Sequence, residues 1–363
     1  MPTNAQIETF AAGVETAVDV AQIERQLHEL WQAAAESGQD SSGRQIARSC
    51  LFSFVVYCGT ESERDHATQT IGMLTPRHPC RAIVLWAQPD TPQTELSATI
   101  SAHCHVAGGG RKQVCCEQIA IRASGSDVEK LKAVVLPLLE SDLPTVIWWP
   151  GNFLQQRQSF RRLMDVADRI LYDTSSWNQP YRQLCPLADM IAENRRCLFA
   201  DLSWTRLDLW RQLAADFFDD PLCQKELGKI RAVEIEHGCG PGAGVRARLL
   251  ASWFAAQLEW PVSDAQAKLR LTEKEERDAS AVGIRSFTIR TDDATFSIRK
   301  NHGELTATAL AVMPNVCGVP RKRAFRPMDD ASLLSQELDH SLRHAIYERS
   351  LTMASRLFRT GAF

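Results

Sequence analysis

A chain of 363 residues, 44% hydrophobic and 23% charged, has room for more than one core and the balance of an ordinary globular protein. Its net charge of −3 argues against a nucleic-acid or membrane surface, and no apolar run reaches the roughly 18 residues needed to span a bilayer. The start, MPTNAQIETF, has no basic region followed by an apolar stretch, and eleven cysteines spread over this length are not a disulfide scaffold, so the expectation is a cytoplasmic protein.

Residues 20–36 place Ile23, Leu27, Leu30 and Trp31 on one helical stripe, ahead of a polar Ser/Gly turn reaching about Gly43. SCLFSFVVYC (Ser49–Cys58) reads as a core strand, 61–73 as a helix and Arg81–Gln88 as a second buried strand, the spacing of a parallel crossover. Leu96–Val106 and Lys112–Ala123 have strand composition, and the AGGGR between them suits a hairpin. Ser126 and Glu129 predict a capping box for a helix over 126–139. Then comes LPTVIWWPGNF: Val146–Trp149 is a short buried strand stopped by Pro150-Gly151, and its two tryptophans must face opposite ways.

A helix over 155–167, strand Arg169–Thr174, a helix near 184–192, strand Arg196–Leu202, a long amphipathic helix over Ser203–Asp219, strand Lys229–His237 and helix 244–258 continue the alternation. Residues 262–280 read as a polar helix or connector. GIRSFTIR, ATFSIRK and ELTATALAV read as hairpin strands, and 330–358 as one amphipathic helix. The expected fold is α/β: a largely parallel mixed sheet flanked by helices over 1–260 (with 1–140 and 141–260 as possible subdomains), then a smaller α+β domain over 261–363 with an antiparallel meander.

Several segments carry residue types that do chemistry. IEHGCGPGAGVRA follows a strand and opens a helix, so Gly238, Gly240 and Ala243 fit a loose dinucleotide fingerprint. No second strand with a ribose-binding acid is evident after the helix, so a small-molecule or nucleotide-binding enzyme using Gly238–Gly244 is the alternative, not the leading reading. His103, Cys104, His105, Cys115 and Cys116 hold soft ligands but lack zinc spacing; the group reads first as core or interface packing, with Cys104, Cys115 and Cys116 as candidate redox thiols. Cys50, Cys58, Cys197 and Cys317 are read as small buried hydrophobes. Asp173 and Asp201 end strands, where α/β sites gather. Arg77, His78 and Arg81 can receive an anion or be plainly solvated, and Arg321, Lys322, Arg323 and Arg326 read as a basic surface loop. No G-x-S-x-G, Walker loop or H-E-x-x-H occurs.

The segments RHPCRAIVL, SAHCH with VCCEQIAI, LPLLESDLPTVIWWPG, ADRILYDTSSW, DLSWTRLDLWRQLAADFFDDP and IRAVEI resemble, in order, the glucose-6-phosphate dehydrogenase assembly protein family, OpcA, of cyanobacteria and actinobacteria. The resemblance implies an accessory subunit with no catalytic residues, no cofactor and no metal. It also implies a glucose-6-phosphate dehydrogenase oligomer as partner, in the oxidative pentose phosphate pathway, with redox control through cysteines in the cyanobacterial members. Tryptophan and arginine dominate interface hot spots. Trp148, Trp149, Trp204, Arg206, Trp210 and Arg211 are therefore the candidate interface anchors, or the scaffold behind them.

Overall fold

The computed structural model describes residues 7–17, 19–37, 45–106, 112–274, 283–301, 304–314, 318–340 and 344–363. The chain divides into two compact units, one of residues 1–172, 196–200 and 330–341, the other of 173–195, 201–329 and 342–363.

In the first unit, strand β1 (Ile7–Ala17), helix α1 (Val20–Ser37) and β2 (Gln45–Arg48) precede β3 (Ser53–Cys58), α2 (Glu61–Leu74) and β4 (Arg81–Gln88). β3 and β4 are parallel, as the strand–helix–strand spacing requires. β5 (Glu95–Val106) and β6 (Lys112–Ser124) pair antiparallel; the connecting residues 107–111 lie outside the described residues.

The helix expected over 126–139 is instead a 3-10 turn, a short α3 (Leu131–Val135) and a second 3-10 turn. Gly125, at φ +56°, starts the turn early, so Ser126 falls inside it and cannot cap, and Pro137 denies the end an amide donor. The capping box lies at α2, between Thr60 and Glu63. β7 (Thr145–Trp149), α4 (Arg157–Met164) and β8 (Arg169–Tyr172) follow. The chain then passes through α5 (Pro180–Glu193) of the other unit and returns as β9 (Leu198–Asp201).

Among the described residues these strands form one sheet in the order β1-β5-β6-β4-β3-β7-β8-β9, with β2 also on β6. From β6 to β9 the chain-order ranks run 3-2-1-4-5-6, the order of a doubly wound dinucleotide-binding sheet. One departure matters below: β4 reaches β6 through the antiparallel strand β5 rather than through a helix. The two tryptophans of β7 are buried on opposite faces. Trp148 stacks on Phe54 and meets His66 of α2 edge-on, while Trp149 stacks on Tyr57 and meets Phe160 of α4. A helix therefore covers each, as a parallel strand buried on both faces demands.

The second unit holds α5 and then α6 (Leu202–Thr205), α7 (Asp208–Asp216), α8 (Pro221–Gln224), β10 (Ala232–His237), α9 (Pro241–Gln257), α10 (Val262–Lys268) and β11 (Leu269–Glu273). β12 (Ile284–Arg290), β13 (Thr295–Lys300), β14 (Thr306–Val312) and β15 (Arg321–Ala324) complete a sheet ordered β11-β10-β12-β13-β14-β15. The meander β12-β13-β14 is antiparallel, as expected.

Four expectations are corrected here. The units do not divide at 260/261, because β10 pairs with β11 and β12 rather than with the first sheet. Residues 269–273 of the expected connector are a strand parallel to β10. The basic run Arg321–Ala324 is an exposed edge strand, where charges discourage further pairing. The helix expected over 330–358 is two, α11 (Asp330–Asp339) in the first unit and α12 (Ala345–Arg359) in the second. Glu337 of α11 meets Arg169 in a buried ion pair, while α12 buries Tyr347 and Leu351 in the other unit. An apolar stripe has the same period whichever core receives it.

Candidate functional sites in the two units

In a doubly wound sheet ligands bind outside the carboxyl ends of the strands where the order reverses, with phosphate at the N-terminus of the first helix. Here that place lies between the ends of β3 and β7, at Cys58-Gly59-Thr60 and Trp149-Pro150-Gly151. It is filled by the chain itself. Thr60 caps α2 by accepting from the Glu63 amide at 3.2 Å, and Glu63 Oε2 accepts from the amides of Gly59 at 2.7 Å and Thr60 at 3.3 Å. Its other oxygen reaches across to the β7 loop: a Cβ built on Gly151 would stand 3.7 Å from Glu63 Oε1. Trp149 Nε1 donates to Gln156 Oε1 at 3.2 Å, and a Cβ built on Gly59 would stand 3.5 Å from Gln156 Nε2 and 3.6 Å from Glu63 Oε2. A carboxylate thus holds the amides that would cradle a pyrophosphate and brings the charge that would repel one.

The second unit has a buried acid pair. Asp173 follows β8 and Asp201 ends β9, as the strand reading placed them. Asp173 Oδ1 accepts from the Ser175 amide at 3.0 Å, Ser175 Oγ at 2.6 Å and Ser203 Oγ at 2.7 Å, and Oδ2 from Arg206 at 2.6 Å. Asp201 Oδ1 accepts from the amides of Thr174 and Ser203 at 3.0 and 2.9 Å, and Oδ2 from Thr174 Oγ1 at 2.6 Å and Tyr347 Oη at 3.3 Å. Burial would raise the Asp173 carboxyl, but Arg206 and the serine hydroxyls outweigh it and hold it below the usual range. Burial, then the Asp173 charge, push Asp201 up to about 7. Two acids with separated affinities are what acid–base catalysis uses. In this pair, however, all four oxygens are taken by the chain's own donors, so it ties strand ends and helices together and presents no oxygen to a substrate.

The Gly238–Gly244 loop packs on the same cluster. A Cβ on Gly242 would lie 2.9 Å from Ser175 Cβ, and one on Gly244 would lie 2.6 Å from Tyr181 Oη. Gly242 and Gly244 therefore make room for protein, whereas a Cβ on Gly240, at φ +103°, would meet nothing within 4 Å. The second strand that the sequence did not reveal is nonetheless present: β11 lies parallel to β10 and ends in Glu273.

Of the candidate anchors, Trp148, Trp149, Trp204 and Trp210 are buried. Trp204 lies 5.4 Å from Tyr347 under the Arg211 guanidinium, 3.6 Å from the ring centroid, and Trp210 meets Phe325 edge-on. Arg211 also pairs with Asp208 and donates to the Trp204 carbonyl, and Arg206 pairs with Asp173. The four tryptophans are thus buried, whereas Arg206 and Arg211 are half-buried. The expected single helix over 203–219 is broken at Arg206 and Leu207, which directs Arg206 at Asp173.

Cys115 and Cys116 are buried on opposite faces of β6, and the register sets Cys104 opposite Cys115. Cys115 is disulfide-bonded. The side chains of Cys104 and His105 lie outside the described residues, as does Cys317. Cys116 has neighbours the sequence did not suggest. It bonds to Thr75 Oγ1 at 2.9 Å, and the Cys80 thiol lowers its pKa despite burial, while Cys80 itself is raised. Cys58 and Cys197 are buried as expected; Cys50 is half-buried. His103 pairs with Gln118, and among the described residues no three His, Cys, Asp or Glu side chains gather as a metal site.

Arg81 is sunk beside Glu117 and bonded to Glu24 and Glu140, and Arg77 pairs with Asp339, which leaves little for an anion. A Ser–His–Asp trio exists at Ser335, His78 and Asp339, but both partners meet Nε2, at 2.8 and 3.7 Å. One nitrogen facing both groups cannot relay a proton between them.

Two family models cover most of the chain. One, described as the glucose-6-phosphate dehydrogenase subunit N-terminal domain, matches residues 72–189, and its C-terminal counterpart matches 197–351. The chain belongs to the OpcA family. Proteins carrying the name OxPP cycle protein OpcA are 32% identical over 188 residues in Synechocystis sp. and 31% over 190 residues in Nostoc punctiforme. These matches cover 51% and 52% of this chain and 38% and 40% of those proteins, so it spans about two fifths of their length.

Among solved structures, an aldose–aldose oxidoreductase from Caulobacter crescentus is 12% identical at TM-score 0.44, covering 85% of this chain and 97% of that one. A 3-ketoreductase from Actinomadura kijaniata is 13% identical at TM-score 0.46, covering 87% and 98%. Within the OpcA-family chain, Glu63 precedes the first matched segment, whereas the acid pair falls inside the two matched segments.

Proposed function

We propose that this OpcA-family chain is a non-catalytic assembly factor and allosteric activator of glucose-6-phosphate dehydrogenase. The observation that carries the non-catalytic half is the filled switch-point crevice. The unit has the strand order of a dinucleotide-binding sheet, yet Glu63 takes the amides that would cradle a pyrophosphate and Gln156 lies beside Gly59. The acid pair of the second unit supports the same reading, because its hydrogen-bonding capacity is spent internally. Membership of a family whose models are described as glucose-6-phosphate dehydrogenase subunit domains supports the partner.

A protein without a reaction centre alters an enzyme only through a differential affinity for that enzyme's states. A ratio of about 100 corresponds to about 2.7 kcal/mol, well within a standard interface of about 1,600 Å². The six tryptophans and arginines act here as the rigid backing of a contact surface. The test is dehydrogenase kinetics with and without the purified chain, alongside the chain alone with glucose 6-phosphate and a nicotinamide cofactor. The expected result is a changed dehydrogenase rate and no turnover by the chain. Turnover by the chain alone, or no association with the cognate dehydrogenase, overturns the proposal.

A further inference from the structure

The acid pair leaves one cation over. Arg246 lies on α9, half-buried, with Arg206, Asp173 and Asp201 as its charged neighbours. The oxygens of both acids are occupied by other donors, and among the described residues Arg246 makes no hydrogen bond or ion pair. Burial first, and the Arg206 charge second, hold its pKa below the usual guanidinium value. A half-buried guanidinium that faces a second one and has no acceptor of its own calls for an anion.

The start of α9 adjoins both arginines. Helical side chains lean toward the N-terminus, and Arg246 Nη2 would lie 3.7 Å from a Cβ built on Gly283, whose carbonyl accepts from the Gly238 amide at 2.9 Å. Arg206 holds Asp173, and Asp173 holds Ser175, the residue against Gly242 in the first turn. That turn has no cap. Pro241 has no amide hydrogen, Gly240 has no side chain to offer, and no acid falls within the turn. The Gly244 amide returns to the Gly240 carbonyl at 3.2 Å, which leaves the Gly242 and Ala243 amides without a helical partner.

A buried histidine stands at the same place. Ile235 of β10 lies opposite Phe287 of β12, and Phe254 of α9 meets Phe287 edge-on, so α9 covers the Ile235 face. His237 shares that face two residues on, at the strand end from which the chain turns into α9, and is 4% exposed. Its Nδ1 meets the Gly238 carbonyl at 2.8 Å, and its Nε2 has no partner among the described residues.

We infer that the start of α9 is a binding site for one phosphate group, held by Arg246 and the amides of Gly242 and Ala243, with His237 Nε2 to bond the phosphate's proton. Guanidinium and helix amides together are the donor set of a phosphate site. Gly242 and Gly244 are already packed on Ser175 and Tyr181, so the open side at Gly240 suits one phosphate rather than a dinucleotide's two. The ligand is inorganic phosphate or a small phosphate monoester, and its binding needs no dehydrogenase.

Calorimetric titration of the full chain at about pH 6.5, where Asp201 keeps its proton, tests this with inorganic phosphate, glucose 6-phosphate and glucose. Arg246→Gln removes the charge, and Cys239→Glu sets a competing carboxylate on an exposed position beside the uncapped turn. Arg323→Gln on exposed β15 is the control. Support is phosphate binding by the wild type, weakened about tenfold or more in both variants and unchanged in the control, as loss of a charge-assisted hydrogen bond implies. Tighter binding of glucose 6-phosphate than of phosphate assigns the ligand to a monoester, and equal affinity assigns it to inorganic phosphate. No phosphate binding by the wild type overturns the site, as does undiminished binding by Arg246→Gln, or glucose binding as tight as glucose 6-phosphate. If Arg246→Gln does not fold, Cys239→Glu decides by the same criterion.

Discussion

Replacing Asp201 by Asn tests the account of the acid pair most directly. Asp201 is walled in by Asp173 after β8, Arg206 after α6, Arg246 on α9 and Tyr347 on α12. Its folded pKa, pushed up to about 7 by burial and then by Asp173, lies above the unfolded value of about 3.9. Between those values the folded chain keeps a proton that the unfolded chain has lost. The contribution is therefore full below about pH 4 and is lost as pH rises through 7. A gap of about 3 pH units corresponds to about 4 kcal/mol. Asp173 titrates oppositely: its pKa is depressed, so its contribution is present above about pH 4 and lost in acid.

Asparagine is neutral at every pH and removes the Asp201 slope. Its carbonyl oxygen still accepts from the Thr174 and Ser203 amides, but its NH2 faces the Thr174 and Tyr347 hydroxyls, a mismatch that costs about 1–3 kcal/mol and does not vary with pH. Urea unfolding followed by tryptophan fluorescence at steps from pH 4.5 to 8 gives the difference between Asp201→Asn and wild type. That difference should move in favour of the variant by several kcal/mol as pH rises. A difference independent of pH refutes the reasoning, whatever the absolute stabilities.

Glu63→Ala removes half of the α2 capping box and should cost about 1 kcal/mol in urea unfolding. It should also leave Gly59 and Thr60 amides open to an anion, so phosphate should stabilise this variant more than wild type. Equal phosphate stabilisation of both counts against the filled-crevice account. Gly242→Ala drives a Cβ to within 3 Å of Ser175 and should lower stability by about 1–3 kcal/mol, read as a lower urea midpoint. Trp149→Ala empties the space between Tyr57 and Phe160 and should cost about 3–5 kcal/mol, with Trp149→Phe milder. If the Cys115 disulfide regulates partner binding, reductant should shift dehydrogenase affinity for wild type and have no effect on Cys115→Ser; identical reduced and oxidised curves for wild type refute it.

Period and punctuation made much of this protein legible before folding. The buried runs Ser53–Cys58, Arg81–Gln88 and Thr145–Trp149, each bounded by turn residues, are strands, and the close spacing of 284–312 is an antiparallel meander. Asp173 and Asp201 were placed at strand ends for the same reason. The opposed faces of Trp148 and Trp149 follow from the alternation of a strand.

What periodicity cannot encode is which sheet a strand joins or which core receives an apolar stripe. β10 reads alike in either sheet, and 330–358 reads as one helix although its halves are buried in different units. Nor can local pattern show a meeting of distant residues. Glu63 against Gly151, Gly242 against Ser175, Cys80 beside Cys116, and Arg206 on Asp173 are set by how the sheets bring strand ends together. Of the aromatic and arginine pairs, the tryptophans are buried and Arg206 and Arg211 half-buried. Composition fixes that such side chains must be satisfied, and only the tertiary structure decides whether by the chain itself or by a partner.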